Sequence, residues 1–265
     1  MRLSIVRNSK TDSIGSIQVL FSEEVDSTNT EAARQLAVGR TRPFVISADR
    51  QTKSRGRFDR QWVSPAGNLS MTIAVALPRN RYDTPVLSLV TGLAISDVLE
   101  TVLPSSARLS IKWPNDVLID DGKVSGTLIE VTGLNAFVGI GVNIVTHPET
   151  TIYPTTSLDR YCMSSRDELV GLITAEWFRR FETWLAHGFK ALAQDYSAKL
   201  WRLNEPLSVS LDAERSVRKN GLCVGVNEHG HLMLQDETGQ VAPIHVGDVL
   251  APLVNEAAPI CDDGE

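Results

Sequence analysis

Cysteine is scarce: three in 265 residues, at positions 162, 223 and 261, odd in number and without C-x-x-C spacing. That pattern excludes a disulfide framework and a cysteine-based zinc site, and leaves Cys162, Cys223 and Cys261 as reduced thiols, buried or idle. The five histidines (His147, His187, His229, His231, His245) form no H-x-x-x-H pair on a helix, so no structural metal is expected. Long apolar runs are missing too. MRLSIVRNSKTDS at the N-terminus lacks a signal-peptide core, and no later stretch reaches the roughly 20 apolar residues of a membrane span, which reads as a cytoplasmic protein away from membranes. There is no internal repeat and no low-complexity tract. Positive charge is in deficit, with 26 Lys and Arg against 32 Asp and Glu and a net charge of -6, so the average surface repels polyanions and DNA is not the expected partner. "GIGVN" lacks the third glycine of a dinucleotide-binding turn, because Ile144 stands in its place.

A hydrophobic content of 42% over this length suffices for one large domain with a small satellite. "TNTEAARQLAV" (28–38) has its apolar residues at helical spacing, and Thr28 with Glu31 fits a capping box, so a helix begins at Ser27 or Thr28. "FVISA" (44–48) and "LSMTIAVAL" (69–77) read as strands, the second too uniformly apolar to have a wet face. Residues 86–103 form a broad apolar helical stripe ended by Pro104, a buried helix. "LSIKWPNDVLID" is a strand broken by a Pro-Asn-Asp turn, and two more strands, "KVSGTLIEVT" and "AFVGIGVNIV", complete a meander. Residues 166–201 read as one helix. Beyond Asn204, turn signals at 219–221, 228–230 and 237–239 separate short strands. The expected fold is α+β: a mixed or antiparallel sheet with flanking helices over residues 1–204 and a small β-barrel over 205–265.

Against the acidic whole, "RQTKSRGRFDRQW" (50–62) places five basic residues in thirteen positions. Arg55 and Arg57 set two planar donor forks around Gly56, where a backbone without Cβ can approach a ligand; such an arrangement suits phosphate or carboxylate. With Asp49 and Asp59 counted, the formal charge over 49–60 is +3 (five basic minus two acidic), so a solvated surface loop is the competing reading. "IKWPND" and "DGKVSG" carry Lys112 and Lys123 beside turns that Pro, Asn, Asp and Gly explain equally well. Ser27, Thr28 and Asn29 are explained as well by helix capping as by ligand contact.

In this order the five motifs resemble the biotin-protein ligases: Ser27-Thr28-Asn29, "SRGRFDRQW", "KWPND", "GKVSGTLIE" and "GIGVN" match that family's S-T-N, G-R-G-R-x-x-R-x-W, K-W-P-N-D, G-K-x-x-G-x-L-x-E and G-x-G-x-N. The similarity covers about residues 20–145 and continues into "GLCVGVNEHGHLML" of the C-terminal unit. It implies a class II synthetase-like catalytic domain and an SH3-like barrel. Two positions depart from the pattern: Ser54 replaces the loop's first glycine, and Asp59 stands where glycine is common. A Cβ at 54 restricts the loop, which bears on retention of an activated intermediate. Only 26 residues precede Ser27, too few for a winged helix, so the single-function branch without a DNA-binding domain is expected.

The resemblance implies that biotin's carboxylate is joined to the α-phosphate of ATP, with Mg²⁺ on the nucleotide, and that biotin then passes to a lysine of the biotin carboxyl carrier protein or domain of an acyl-CoA carboxylase. Two anions about 4 Å apart repel by about 4 kcal/mol at an effective dielectric of about 20, close to three decades in rate. Cations offset this, and the resemblance offers Arg55, Arg57 and Lys123 as the catalytic set. It assigns Ser27, Thr28, Asn29, Gln51, Arg55, Gly56, Arg57, Lys123 and Gly126 to biotin, and Arg57, Arg60, Trp62, Asn115, Asp116, Lys123 and Asn143 to the nucleotide. Trp62 and Trp113 either meet the adenylate or pack on strands. The loop is expected to be mobile until ligand orders it. A lipoate-protein ligase or octanoyltransferase is the nearest alternative, and a non-catalytic binding module a more distant one. Monomer and homodimer both remain open.

Overall fold

The structure, a computed structural model, describes residues 11–14, 17–63, 65–79, 83–149, 153–212 and 216–250. Cys261 and the outer ends of the two expected domains, 1–10 and 251–265, lie outside them. In chain order the elements are β1 (Thr11–Ile14), β2 (Ile17–Val25), α1 (Thr28–Ala37), β3 (Phe44–Gln51), β4 (Leu69–Ala76), α2 (Leu87–Val102), β5 (Leu109–Lys112), β6 (Asp116–Ile119), β7 (Gly122–Thr132), β8 (Asn135–Val142), α3 (Arg166–His187), α4 (Ala193–Ala198), β9 (Pro206–Ser210), β10 (Arg218–Val226), β11 (Leu232–Gln235), β12 (Val241–Ile244) and β13 (Asp248–Leu250).

The first eight strands form one mixed sheet in the order β1-β2-β3-β4-β8-β7-β6-β5, parallel only between β2 and β3. Alternation along β4 gives the sheet two different faces. Leu69, Met71, Ile73 and Val75 join α2 and α3 in the main core. Ser70 and Thr72 face the other way, and Ala74 packs there with Phe44, Ile46, Phe137 and Ala32 of α1. Trp177 of α3 stacks on Phe181 of the same helix at 4.6 Å and ties α3 to α2 by donating its Nε1 hydrogen to Thr91 Oγ1 at 2.9 Å. Thr84–Val102 is long and apolar enough to cross a bilayer, contrary to the expectation from sequence. Two thirds of its most apolar window is buried inside the protein, which makes it the core helix of the sheet's covered face.

Strands β9 to β13 form a second, antiparallel sheet in the order β12-β11-β10-β9-β13. Its Leu207, Val209, Cys223, Leu232 and Ile244 belong to the same apolar cluster as α2 and α3, so the core runs without a break into the C-terminal unit. Trp113 Nε1 donates to Gly230 O at 3.0 Å and pins this unit to the Lys112–Asp116 turn.

Three sequence expectations need correction. The capping box does not form: Ser27 is the N-cap without a side-chain bond, and Thr28 is already inside the helix with its hydroxyl turned to Gln51. The helix over 166–201 stops at Gly188 (φ 72), whose conformation α-helix does not accommodate, and restarts as α4. Residues 219–221 are not a turn but part of β10; Gly221 is small because a Cβ there would lie 2.7 Å from Gln235 O. The strands β1 and β2 carry no marked apolar alternation and were not legible. The turns at 228–230 and 237–239 are as expected, with Gly230 and Gly239 at φ 79 and 87.

Candidate active site

On the face opposite α2 and α3 the sheet lines a cavity of about 450 Å³. Its floor follows from strand register. Ser70, Gly141 and Gly126 form one row across β4, β8 and β7, and Thr72, Gly139 and Leu128 form the next. The glycines leave a trough into which two side chains settle. A Cβ on Gly139 would lie 2.8 Å from Asn29 Oδ1, and one on Gly141 would lie 2.5 Å from the Trp62 indole. Trp62 therefore lies flat on the strands inside the cavity, while Trp113 is buried in the core.

All fourteen residues singled out from the sequence line this one space: Ser27, Thr28, Asn29, Gln51, Arg55, Gly56, Arg57, Arg60, Trp62, Asn115, Asp116, Lys123, Gly126 and Asn143. At one end the start of α1 is held by a polar cluster. Gln51 Oε1 accepts from Thr28 N at 2.8 Å and from Thr28 Oγ1 at 3.1 Å, which fixes the orientation of the Gln51 amide. The buried Thr72 hydroxyl lies within hydrogen-bonding distance of Asn29 Oδ1 (2.6 Å) and Thr28 Oγ1 (2.8 Å). Asn29 Nδ2 donates to Glu130 Oε2 at 2.7 Å.

The arginine loop folds over the cavity and closes on itself: Gly56 N donates to Arg60 O at 2.7 Å, and the Ser54 hydroxyl donates to Trp62 O. Phe58, in the left-handed region at φ 55, places its ring 5.0 Å from the Arg57 guanidinium and 5.5 Å from that of Arg60. Each arginine reaches a different element. Arg55 pairs with Glu130 of β7 at 3.1 Å. Arg57 donates to Asn115 Oδ1 at 3.1 Å and to Gly247 O at 3.2 Å. Arg60 pairs with Asp248 at 2.9 Å. Lys123 Nζ lies 2.7 Å from Asp116 Oδ1, next to the residue that Arg57 holds.

Burial weakens the hold of the Arg57 guanidinium on its proton, an effect that the carboxylates of Asp248 and Asp116 oppose and the charge of Arg60 reinforces. Burial also pushes the Asp248 carboxyl up, but Lys112, Arg60 and Arg57 outweigh it and hold the group below its ordinary value. Asn143 spends its amide nitrogen on Lys123 O (3.3 Å) and Thr156 O (3.1 Å), so its buried Oδ1 has no partner among the described residues. The cavity thus offers a cationic end, an apolar trough and a polar end with fixed donors and acceptors.

A profile of the Biotin/lipoate A/B protein ligase family matches residues 21–145. The chain is 34% identical over 234 residues to the biotin--[acetyl-CoA-carboxylase] ligase of Paracoccus denitrificans, covering 82% of this chain and 95% of that one. The chain belongs to the biotin-protein ligase family. A ligase of the same description from Mycobacterium tuberculosis is 30% identical, covering 86% of each chain. Among solved structures, the biotin protein ligase of Aquifex aeolicus in complex with biotin and ATP superposes with a TM-score of 0.75 at 29% identity, covering 88% of this chain and 97% of that one.

Several groups at this cavity escaped the sequence reading. Asp248 enters from the C-terminal unit and accepts from Tyr153 OH at 3.2 Å; Lys112, noted in the sequence only as a lysine beside a turn, sets its Nζ 3.5 Å from the Tyr153 ring centroid. Thr72 was read only as part of an apolar strand. Its period-2 position between Met71 and Ile73, opposite the core-facing set, was the available signal.

Proposed function

We propose that this chain activates biotin as biotinyl-5'-AMP at the expense of ATP and then transfers biotin to a lysine of a biotin carboxyl carrier protein or domain. One observation carries the assignment to this cavity: Arg57 on the loop and Lys123 on β7 are held on neighbouring residues, Asn115 and Asp116, of one turn. Cations from separate stretches of chain thereby meet at the place where two anions must join. The carboxylate oxygen of biotin attacks the α-phosphorus of ATP, which enters as its magnesium complex, and pyrophosphate leaves. Arg57 and Lys123 stabilise the negative charge that develops on the phosphoryl oxygens. In the closed arrangement of the loop both are already held by Asn115 and Asp116, so little reorganisation accompanies the reaction once it is closed.

The remaining residues orient the two substrates. Thr28, Gln51 and Ser27 supply hydrogen-bonding groups for the ureido ring in an otherwise apolar trough, with Asn29 ordering them. Arg60, Trp62 and Asn143 lie on the nucleotide side, where the unpaired Asn143 Oδ1 is an acceptor for a nucleotide N–H. The closed loop keeps water from the acyl phosphate until the acceptor amine attacks the acyl carbon and AMP departs. Residues 1–204 act as the catalytic unit and 205–265 as the C-terminal unit, which contributes Asp248 to the cavity. The reaction is placed in the cytoplasm, with the carrier of an acyl-CoA carboxylase as acceptor.

The test is to incubate purified protein with biotin, MgATP and a biotin-carrier domain, and to detect the product with avidin. Product should require all four components. Equal transfer of lipoate in a parallel reaction would move the assignment to the lipoate-protein ligases.

A further inference from the structure

Glu130 is a carboxylate that the reaction just described leaves without a task. It sits on β7 two residues beyond Leu128 and therefore on the same face of the sheet, at the rim of the cavity. Each of its oxygens has its own partner. Oε2 accepts from Asn29 Nδ2 at 2.7 Å, and Oε1 accepts from Arg55 Nη2 at 3.1 Å. One side chain thus joins the start of α1 to the arginine loop, 75 positions away from Arg55 and 101 from Asn29.

The two contacts place different demands on position 130. Asn29 needs only an acceptor, and with Nδ2 engaged its Oδ1 is left facing Thr72. Arg55 needs the charge, because its guanidinium is half exposed and a neutral acceptor there competes poorly with water. We infer that Glu130 is a positioning residue: it latches the arginine loop over the cavity through Arg55 and, through Asn29, ties closure of the loop to the order of the polar end. The latch is weak by design of its surroundings. An ion pair this exposed contributes under about 1 kcal/mol, which corresponds to a two- to fivefold shift in the open fraction of the loop. A loop that must reopen for the acceptor lysine requires a fastening of that size rather than a buried one.

The consequence for retention of the adenylate rests on the function proposed above, whereas the latch itself does not. The experiment therefore has two arms on the full chain. In the first, trypsin cleavage after Arg57 and Arg60 is followed without ligand for wild type, Glu130→Gln, Arg55→Ala and the double variant. Glu130→Gln is expected to be cut about two- to fivefold faster, and the double variant no faster than Arg55→Ala alone, since one interaction is lost either way. In the second, biotinyl-adenylate escaping into solution without acceptor is measured against that formed, and Glu130→Gln should lose a larger fraction than wild type by a similar factor. Glu130→Ala, which also frees the Asn29 amide, should in addition raise the KM for biotin, which Glu130→Gln should not. Equal cleavage rates for wild type and Glu130→Gln, or additive effects in the double variant, would overturn the latch. Failure of the wild type to form any adenylate would instead overturn the enzymatic reading and leave the first arm to judge Glu130. Melting curves identify a variant that simply fails to fold.

Discussion

Asp248 and Arg60, 188 positions apart, lie 2.9 Å from one another and join the C-terminal sheet to the arginine loop. The carboxylate also receives the Tyr153 hydroxyl and lies in the field of Lys112 and Arg57. A cationic loop over a cavity would spring outward by self-repulsion, and a buried anion behind it counters that tendency.

Asp248→Asn should cost about 1–3 kcal/mol at neutral pH, because it strands the groups around it. The folded carboxyl titrates below its ordinary 3.8, so its stabilisation is complete above that value and is lost as pH falls through the lower, folded one. Urea titrations of wild type and variant should therefore differ by a constant amount from pH 7 to pH 5 and converge below about pH 3.8. A difference that grows on acidification would contradict this placement of the charge.

Arg57→Ala and Lys123→Ala should each slow adenylate formation by about 100- to 1000-fold, the usual effect of deleting one preorganised charge-stabilising group. Stability should change far less, by about 1–3 kcal/mol even for Lys123→Ala, which leaves Asp116 buried without its ion pair. Single-turnover kinetics beside thermal melts separate the two effects. Unfolding of both variants with normal turnover per folded molecule would assign them structural roles.

Gly141→Ala places a methyl 2.5 Å from the Trp62 indole and so lifts the ring from the floor of the trough. Overpacking of this kind costs about 1–3 kcal/mol. Here the expected loss falls mainly on ligand binding, since the Trp62 ring lies in the cavity rather than in the core. The melting-temperature rise on adding biotin and ATP should shrink markedly, while the ligand-free melting temperature moves only a few degrees.

Ser54→Gly removes the hydroxyl that fastens the base of the loop to Trp62 O and adds backbone freedom. Losing about 1 kcal/mol of local stability should raise proteolysis within 52–60 about fivefold. Unchanged cleavage would mean that the serine is tolerated rather than used.

Legibility from sequence followed the strength of local signals. β4 and α2 were readable because a strand and a helix buried on most sides are apolar almost throughout, and Pro104 and Gly188 mark real ends, although the second was overlooked within a long periodic stretch. The floor of the site was not readable. Gly139 and Gly141 look like flexibility in a sequence, yet they are small because Asn29 and Trp62 lie on them. Asp248 received no role from the sequence, and Glu130 appears there only as the last residue of "GKVSGTLIE": what each does depends on partners 75 to 188 positions distant, which spacing along the chain does not reveal. The motif residues were found through family resemblance, and the fold supplies the physical reason that they work together.

The central claim is that acid and nucleotide are fused in the cavity bounded by Arg57 and Lys123. Biotin-dependent exchange of labelled pyrophosphate into ATP, measured without any carrier protein, tests it most directly. The wild type should exchange only when biotin is present, lipoate should not replace biotin, and Lys123→Ala should reduce the exchange to near background while remaining folded. Exchange that ignores biotin, or that persists undiminished in Lys123→Ala, would contradict the account.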